Sequence, residues 1–160
     1  MEPLVIICVD DQREVLAGVA RDLAILEPFV RIEECESAKE ARTLLNELDV
    51  EGRPVALIVC DHIMPEVSGV EFLSSLVTDR RFPHVKKLLL TGQATHKDTI
   101  EAVNSARIDF YIEKPWEPDA LASVCRRLIS EFLFDAGQYS EEYRKFVDPQ
   151  VLLKRLRESE

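Results

Sequence analysis

Three short apolar runs mark the chain: Leu4–Val9, Val55–Cys60 and Leu88–Leu90 with Val85 ahead of it. Each is rich in β-branched residues or leucine and bounded by turn signals, which is how strands buried on both faces read. Val30–Cys35 and Ile108–Ile112 are weaker strand candidates. Helical patterns lie between them. Val15, Val19, Leu23 and Leu26 recur at steps of three and four, and so do Ala38, Ala41, Leu44, Leu45 and Leu48. Ser37 is placed to N-cap the second of these, with Glu40 completing a capping box. Val70, Leu73, Leu76 and Val77 predict a third helix, Ile100 and Val103 a weaker fourth, and Leu121, Val124, Cys125, Leu128 and Phe132 a strong fifth.

Strand and helix thus alternate, with short connections. That order predicts a doubly wound α/β domain, a five-stranded parallel sheet whose right-handed crossovers lay helices on both faces. Such a domain binds its ligand outside the carboxyl ends of the strands, near a topological switch point.

Composition sharpens this reading. The chain has 160 residues, with 30 Asp and Glu against 20 Lys and Arg, a formal net charge of −10. Hydrophobic residues make up 46% of it, enough for a core, so a disordered chain is excluded. The acidic balance argues against direct nucleic-acid binding, which needs a basic face. No apolar run approaches the roughly 20 residues that span a bilayer, and Leu4–Val9 is too short and too acidic at its flanks for a signal peptide. A soluble, cytoplasmic protein without membrane contact is expected. Cys8, Cys35, Cys60 and Cys125 form no Cys-x-x-Cys pair, so free thiols are expected. Neither Gly-rich nucleotide motif is present.

The predicted strand ends carry the chemistry. Asp10-Asp11 follows the first strand, Asp61 the third, Thr91-Gly92 the fourth and Lys114-Pro115 the fifth. In a doubly wound sheet these ends converge. Clustered carboxylates need a cation, and hard oxygen ligands suit Mg²⁺, which bridges carboxylate to phosphate. A Lys offers a point charge for a phosphoryl oxygen and Thr a hydroxyl donor. This is the equipment of phosphoryl transfer, and a carboxylate can itself be the nucleophile, forming an acyl phosphate. Taken singly, each motif is an ordinary turn or helix cap; four of them at four strand ends point to a site.

Asp10-Asp11, Asp61 followed by Met64-Pro65 and Gly69, Thr91-Gly92, and Tyr111-x-x-Lys114-Pro115 together resemble the receiver domain of bacterial two-component response regulators. The resemblance runs from Leu4 to Phe134 and implies a (βα)5 flavodoxin-like receiver fold. It implies Asp61 as phosphoacceptor, with Asp11 as a direct Mg²⁺ ligand, Asp10 a ligand mainly through water, and the Ile63 carbonyl as the third protein ligand. Lys114 would pair with a phosphoryl oxygen, Thr91 would hydrogen-bond one, and Tyr111 would rotate as Thr91 shifts. The Lys114-Pro115 bond would be cis. Ile63 and Gln93 occupy positions that influence phosphoryl loss in the family. Ala106-Arg107 stands where relatives often carry Gly, which leaves that turn open. The implied partners are a sensor histidine kinase or phosphotransfer protein and a downstream target, and the protein would be a switch, not a turnover enzyme.

The competing reading is a Mg²⁺-dependent phosphatase of haloacid-dehalogenase type. Those enzymes place a second Asp two residues after the nucleophile; here that place holds Ile63, and no cap insertion is evident. His62, beside Asp61, is expected to point away from the site, and Trp116 to pack under the last helix. Residues 1–134 read as the receiver and 135–160 as a helical tail or linker, with no output domain recognisable. Within the tail, Tyr139, Tyr143, Phe146 and Val147 share one helical face, Asp148-Pro149 starts a second helix, and Val151, Leu152 and Leu156 form an apolar strip. The tail is expected either to fold back on the receiver or, if its apolar face is free, to make a homodimer or lead into an output domain.

Overall fold

The computed structural model describes residues 2–92 and 95–159. The strong apolar runs are its inner strands, β1 (Leu4–Val9), β3 (Val55–Cys60) and β4 (Lys86–Thr91). The weaker candidates, β2 (Val30–Cys35) and β5 (Phe110–Glu113), are the edges of one parallel sheet in the order β2-β1-β3-β4-β5. Alternate residues of β1 feed two cores, as the period of a strand requires. Leu4, Ile6 and Cys8 face one that includes Leu16, Val19 and Leu128; Val5, Ile7 and Val9 face another with Leu45, Phe72 and Leu73. The first core lies under α1 (Arg13–Leu23) and α5 (Pro118–Asp135), the second under α2 (Ala38–Glu51) and α3 (Gly69–Val77). The fourth helix, α4 (His96–Glu101), is short and runs into a π-helical turn, Ala102–Ala106.

Three local expectations need correction. The fourth strand begins at Lys86, ahead of the apolar run, because Lys87 is buried and donates from Nζ to the Ala106 carbonyl (3.0 Å). The fifth strand begins at Phe110, two residues later than expected. Asp109 closes the entry instead, donating its N–H to the Lys87 carbonyl and accepting the Lys87 N–H, each at 2.8 Å. Ser37 caps α2 by accepting the Glu40 N–H, but the Glu40 carboxylate accepts from Glu36, so the capping box is half made. The Ala106-Arg107 turn is solved without glycine, by placing Arg107 in the left-handed region (φ 53°).

The tail lies against α5 and the start of β2. Tyr139–Val147 forms only a 3-10 turn, Glu141–Tyr143, yet Tyr143, Phe146 and Val147 are buried in the first core, with Phe29 against both aromatic rings. Arg126 of α5 donates to the carbonyls of Lys145, Phe146 and Val147. The final helix, α6 (Pro149–Glu158), is capped by Asp148, whose own N–H donates to the Ser130 hydroxyl (2.9 Å). The apolar strip expected on this helix is displaced: Val151 is buried, Leu152 is half-buried, and Leu156 is exposed together with Leu153. The surface that motivated self-association is therefore largely spent inside the chain. Ser130→Ala is expected to cost about 1 kcal/mol, since it strips a half-buried N–H of its partner. Urea unfolding reads this as a lower midpoint at unchanged slope, and an unchanged midpoint would show that the hydroxyl does not hold the start of α6.

Candidate functional site

The register of β1 on β3 pairs Val9 with Cys60, so the next residues, Asp10 and Asp61, emerge side by side, and the Asp61 N–H donates to the Val9 carbonyl (2.9 Å). Asp11 follows on the loop to α1. One carboxylate oxygen from each of Asp10, Asp11 and Asp61 lies within 4.8 Å of the others. Across the sheet, Thr91 pairs with Glu113, and the Lys114 N–H donates to the Thr91 carbonyl (3.2 Å). This register delivers Lys114 to the cluster: its Nζ is 2.8 Å from Asp10 and 3.5 Å from Asp61. The Lys114–Pro115 peptide is cis. Asp11, Gln12, Asp61, Ile63, Thr91, Gly92 and Lys114 line an open cavity of about 210 Å³. The Thr91 hydroxyl is buried and has no hydrogen-bond partner among the described residues. A buried hydroxyl without a partner is costly, and an acceptor arriving in the cavity would relieve that cost.

The loop after β3 is held close. The Asp61 carboxylate accepts the N–H of His62 (2.8 Å), and the His62 carbonyl accepts the N–H of Gly69 (2.9 Å). A Cβ on Gly69 would stand 1.9 Å from the carbonyl oxygen of Asp61, so α3 can begin against the site only with no side chain there.

Burial holds the Asp10 carboxyl above its ordinary value. The Lys114 ammonium and the Gln12 N–H pull it back, and the Asp61 charge pushes it further up. A carboxyl raised in the folded state favours folding while protonated. That contribution is present below its unfolded value and is lost as pH rises through the folded one. Once ionised, Asp10 therefore works against the fold, and a cation bound beside it would oppose that effect.

The family description "Response regulator receiver domain" matches residues 6–126, most of the chain. The chain belongs to the receiver-domain family. It is similar to the hydrogenase transcriptional regulatory protein HoxA of Cupriavidus necator, at 36% identity over 124 residues, covering 78% of this chain and 24% of HoxA. It is also similar to the response regulator Rre1 of Synechocystis, at 29% identity over 146 residues, covering 90% of this chain and 60% of that protein. The chain thus spans less than two thirds of the length of these relatives. Among solved structures, the receiver domain of an HD-domain protein from Pseudomonas fluorescens superposes with a TM-score of 0.71 at 25% identity, covering 81% of this chain and 97% of that one. Receiver domains are signalling switches of two-component systems, not turnover enzymes. The match is to that family and not to the haloacid-dehalogenase phosphatases.

The other predicted residues fall around this receiver site. Ile63 is half-exposed at the cavity, and Gln93 lies outside the described residues. Tyr111 is half-buried against the second core, and burial pushes its hydroxyl above the ordinary value, with the Glu113 charge adding and Thr99 opposing. Trp116 does pack, but on α1, where its ring lies over Gly18 and its Nε1 donates to Asp22 (2.8 Å). All four cysteines are free and buried; burial pushes Cys35 and Cys125 to about 12 and the other two well above their ordinary value. No helix among the described residues is long and apolar enough to cross a membrane. Sequence reasoning missed Asp98, which makes a full capping box with Thr95 at the start of α4 and faces His62. The Thr95-x-x-Asp98 spacing carried that signal.

Proposed function

We propose that this receiver is switched by phosphorylation of Asp61, taken from a phosphohistidine on a sensor kinase or phosphotransfer protein. The observation that carries the reading is the arrangement at the cavity: a buried carboxylate at the end of β3, an ammonium 3.5 Å from it, and a Thr91 hydroxyl without a partner among the described residues. An Asp61 oxygen bonds to phosphorus as the phosphorus–nitrogen bond of the donor breaks, leaving an acyl phosphate. Lys114 meets the negative oxygens of the phosphoryl group, and Thr91 donates to one. The carboxylates of Asp10, Asp11 and Asp61 and the carbonyl of Ile63 would hold Mg²⁺, which would supply positive charge against the transferred group. Engagement of Thr91 then draws on Tyr111 and shifts an existing equilibrium in the surface of α4, β5 and α5, which a downstream target reads. We read residues 1–134 as the receiver and 135–160 as its helical tail, working in the cytoplasm, where buried free thiols stay reduced.

Treatment with a small phosphodonor and Mg²⁺, followed by mass spectrometry, is expected to place the label on Asp61 alone. Wild-type labelling of Asp61→Asn would overturn the assignment. Mg²⁺ at about ten times its dissociation constant is expected to stabilise the chain by about 1.4 kcal/mol, seen as a higher melting midpoint. Asp11→Ala is expected to melt higher than wild type without metal and to lose most of the Mg²⁺ response. A wild-type midpoint indifferent to Mg²⁺ would remove the metal from the site.

A further inference from the structure

We propose that His62 ties the phosphoacceptor loop to α4 through Asp98, giving Asp61 a second mechanical link to that helix beside Thr91 and Tyr111. The inference rests on the reading of Asp61 as phosphoacceptor.

His62 is gripped along its main chain. Its N–H donates to Asp61 Oδ1 at 2.8 Å, and its carbonyl accepts from Gly69 at 2.9 Å. A change at the Asp61 carboxylate therefore acts directly on the backbone of residue 62. The side chain then crosses to α4. It is only 12% exposed, and its Nε2 lies 3.6 Å from Asp98 Oδ1. Its Nδ1 is buried and has no partner among the described residues, so among these Asp98 is the polar group the ring faces.

Asp98 is placed to pass the contact on. Its Oδ2 accepts the Thr95 N–H (3.0 Å) and its own N–H donates to the Thr95 hydroxyl (3.1 Å). One oxygen thus caps the helix while the other faces the imidazole. The Thr95 N–H, foremost, and His62 hold this carboxyl below its ordinary value, so it stays an acceptor.

The receiving element is weakly held. Residues His96–Glu101 bury none of their side chains, and Ile100 and Val103 are exposed. A helix of this length is marginal without tertiary contacts. The capping box and the His62 contact therefore weigh heavily on whether its first turn forms.

The test is hydrogen exchange on the full chain, with and without Mg²⁺ plus beryllium fluoride as the phosphoryl mimic. The amides of Thr99 and Ala102 report on α4, because the bond of the first to Thr95 and those of the second to Asp98 and Thr99 need the helix formed. In the wild type the mimic is expected to slow their exchange. In His62→Phe their basal exchange is expected to rise about fivefold, as loss of one polar contact dictates, and the response to the mimic to fall below half. Phosphodonor labelling of Asp61 should persist in that variant. His62→Gln, which keeps a donor within reach of Asp98, is expected to restore both values; should His62→Phe not fold, His62→Leu carries the same comparison. A His62→Phe protein with wild-type exchange and response would overturn the link, and so would a Gln variant as impaired as the Phe one. If the wild type takes no label on Asp61, the functional reading itself has failed. If labelling holds and only the exchange pattern is unchanged, this inference alone has failed.

Discussion

Lys114→Ala is expected to slow phosphodonor labelling of Asp61 about a hundredfold, the usual consequence of removing a preorganised group that meets developing charge. Lys114 is the ammonium that reaches two of the clustered carboxylates, at 2.8 Å from Asp10 and 3.5 Å from Asp61. Its loss has a second effect, on the resting fold. Asp10 is 3% exposed, and among the described residues its carboxylate keeps only the Gln12 N–H once the ammonium is gone. Removing one partner of a buried pair costs about 3 kcal/mol at most, because the other charge is left unpaired. The two effects separate experimentally. A divalent cation can substitute for a lost positive charge in the cluster, so Mg²⁺ should raise the melting midpoint of the variant more than that of the wild type. It cannot restore a donor to the phosphoryl group, so labelling should stay slow. Mg²⁺ affinity and labelling lost in equal measure would make Lys114 a structural residue.

Gly69→Ala is expected to destabilise the chain by about 3 kcal/mol, at the upper end for overpacking, because the atom in the way is backbone. The added methyl would sit 1.9 Å from the Asp61 carbonyl oxygen and 3.0 Å from the His62 Cα. Relief requires α3 to retreat from the loop, which breaks the Gly69 N–H bond to His62 and shifts Asp61 itself. Labelling should therefore fall together with stability. Equilibrium unfolding and labelling measured on the same preparation check both, and a variant as stable as wild type would show that α3 has room to move. The conformational freedom of glycine plays no part here; the position requires the missing side chain.

The inner strands were legible because burial on both faces writes an unbroken apolar run, and Leu4–Val9 and Val55–Cys60 stand in the fold with those bounds. The start of β4 was not, because Lys87 is buried by a carbonyl partner supplied from a distant turn, and no local pattern announces such a partner. The convergence of Asp10, Asp61, Thr91 and Lys114 followed from strand order alone, since every one of them sits at a strand's carboxyl end. The contact of His62 with Asp98 did not, because it joins a loop to a helix whose relative placement depends on the whole sheet. For the same reason Trp116 could be read as a packing residue while its surface, Gly18 of α1, could not be named.

The family match ends at residue 126, yet the first core runs on to Val147. Anyone building chimeras from this protein meets that difference at once. A sensor or reporter grafted after residue 134 would strip Tyr143, Phe146 and Val147 from the wall of the receiver and take from Phe29 the two aromatic rings it packs on. Arg126 would keep its charge but lose the three carbonyls it holds. A graft placed beyond α6 keeps that wall whole, so the useful joint for modular engineering lies after Glu158, and the receiver should be moved between proteins as a unit that includes its tail.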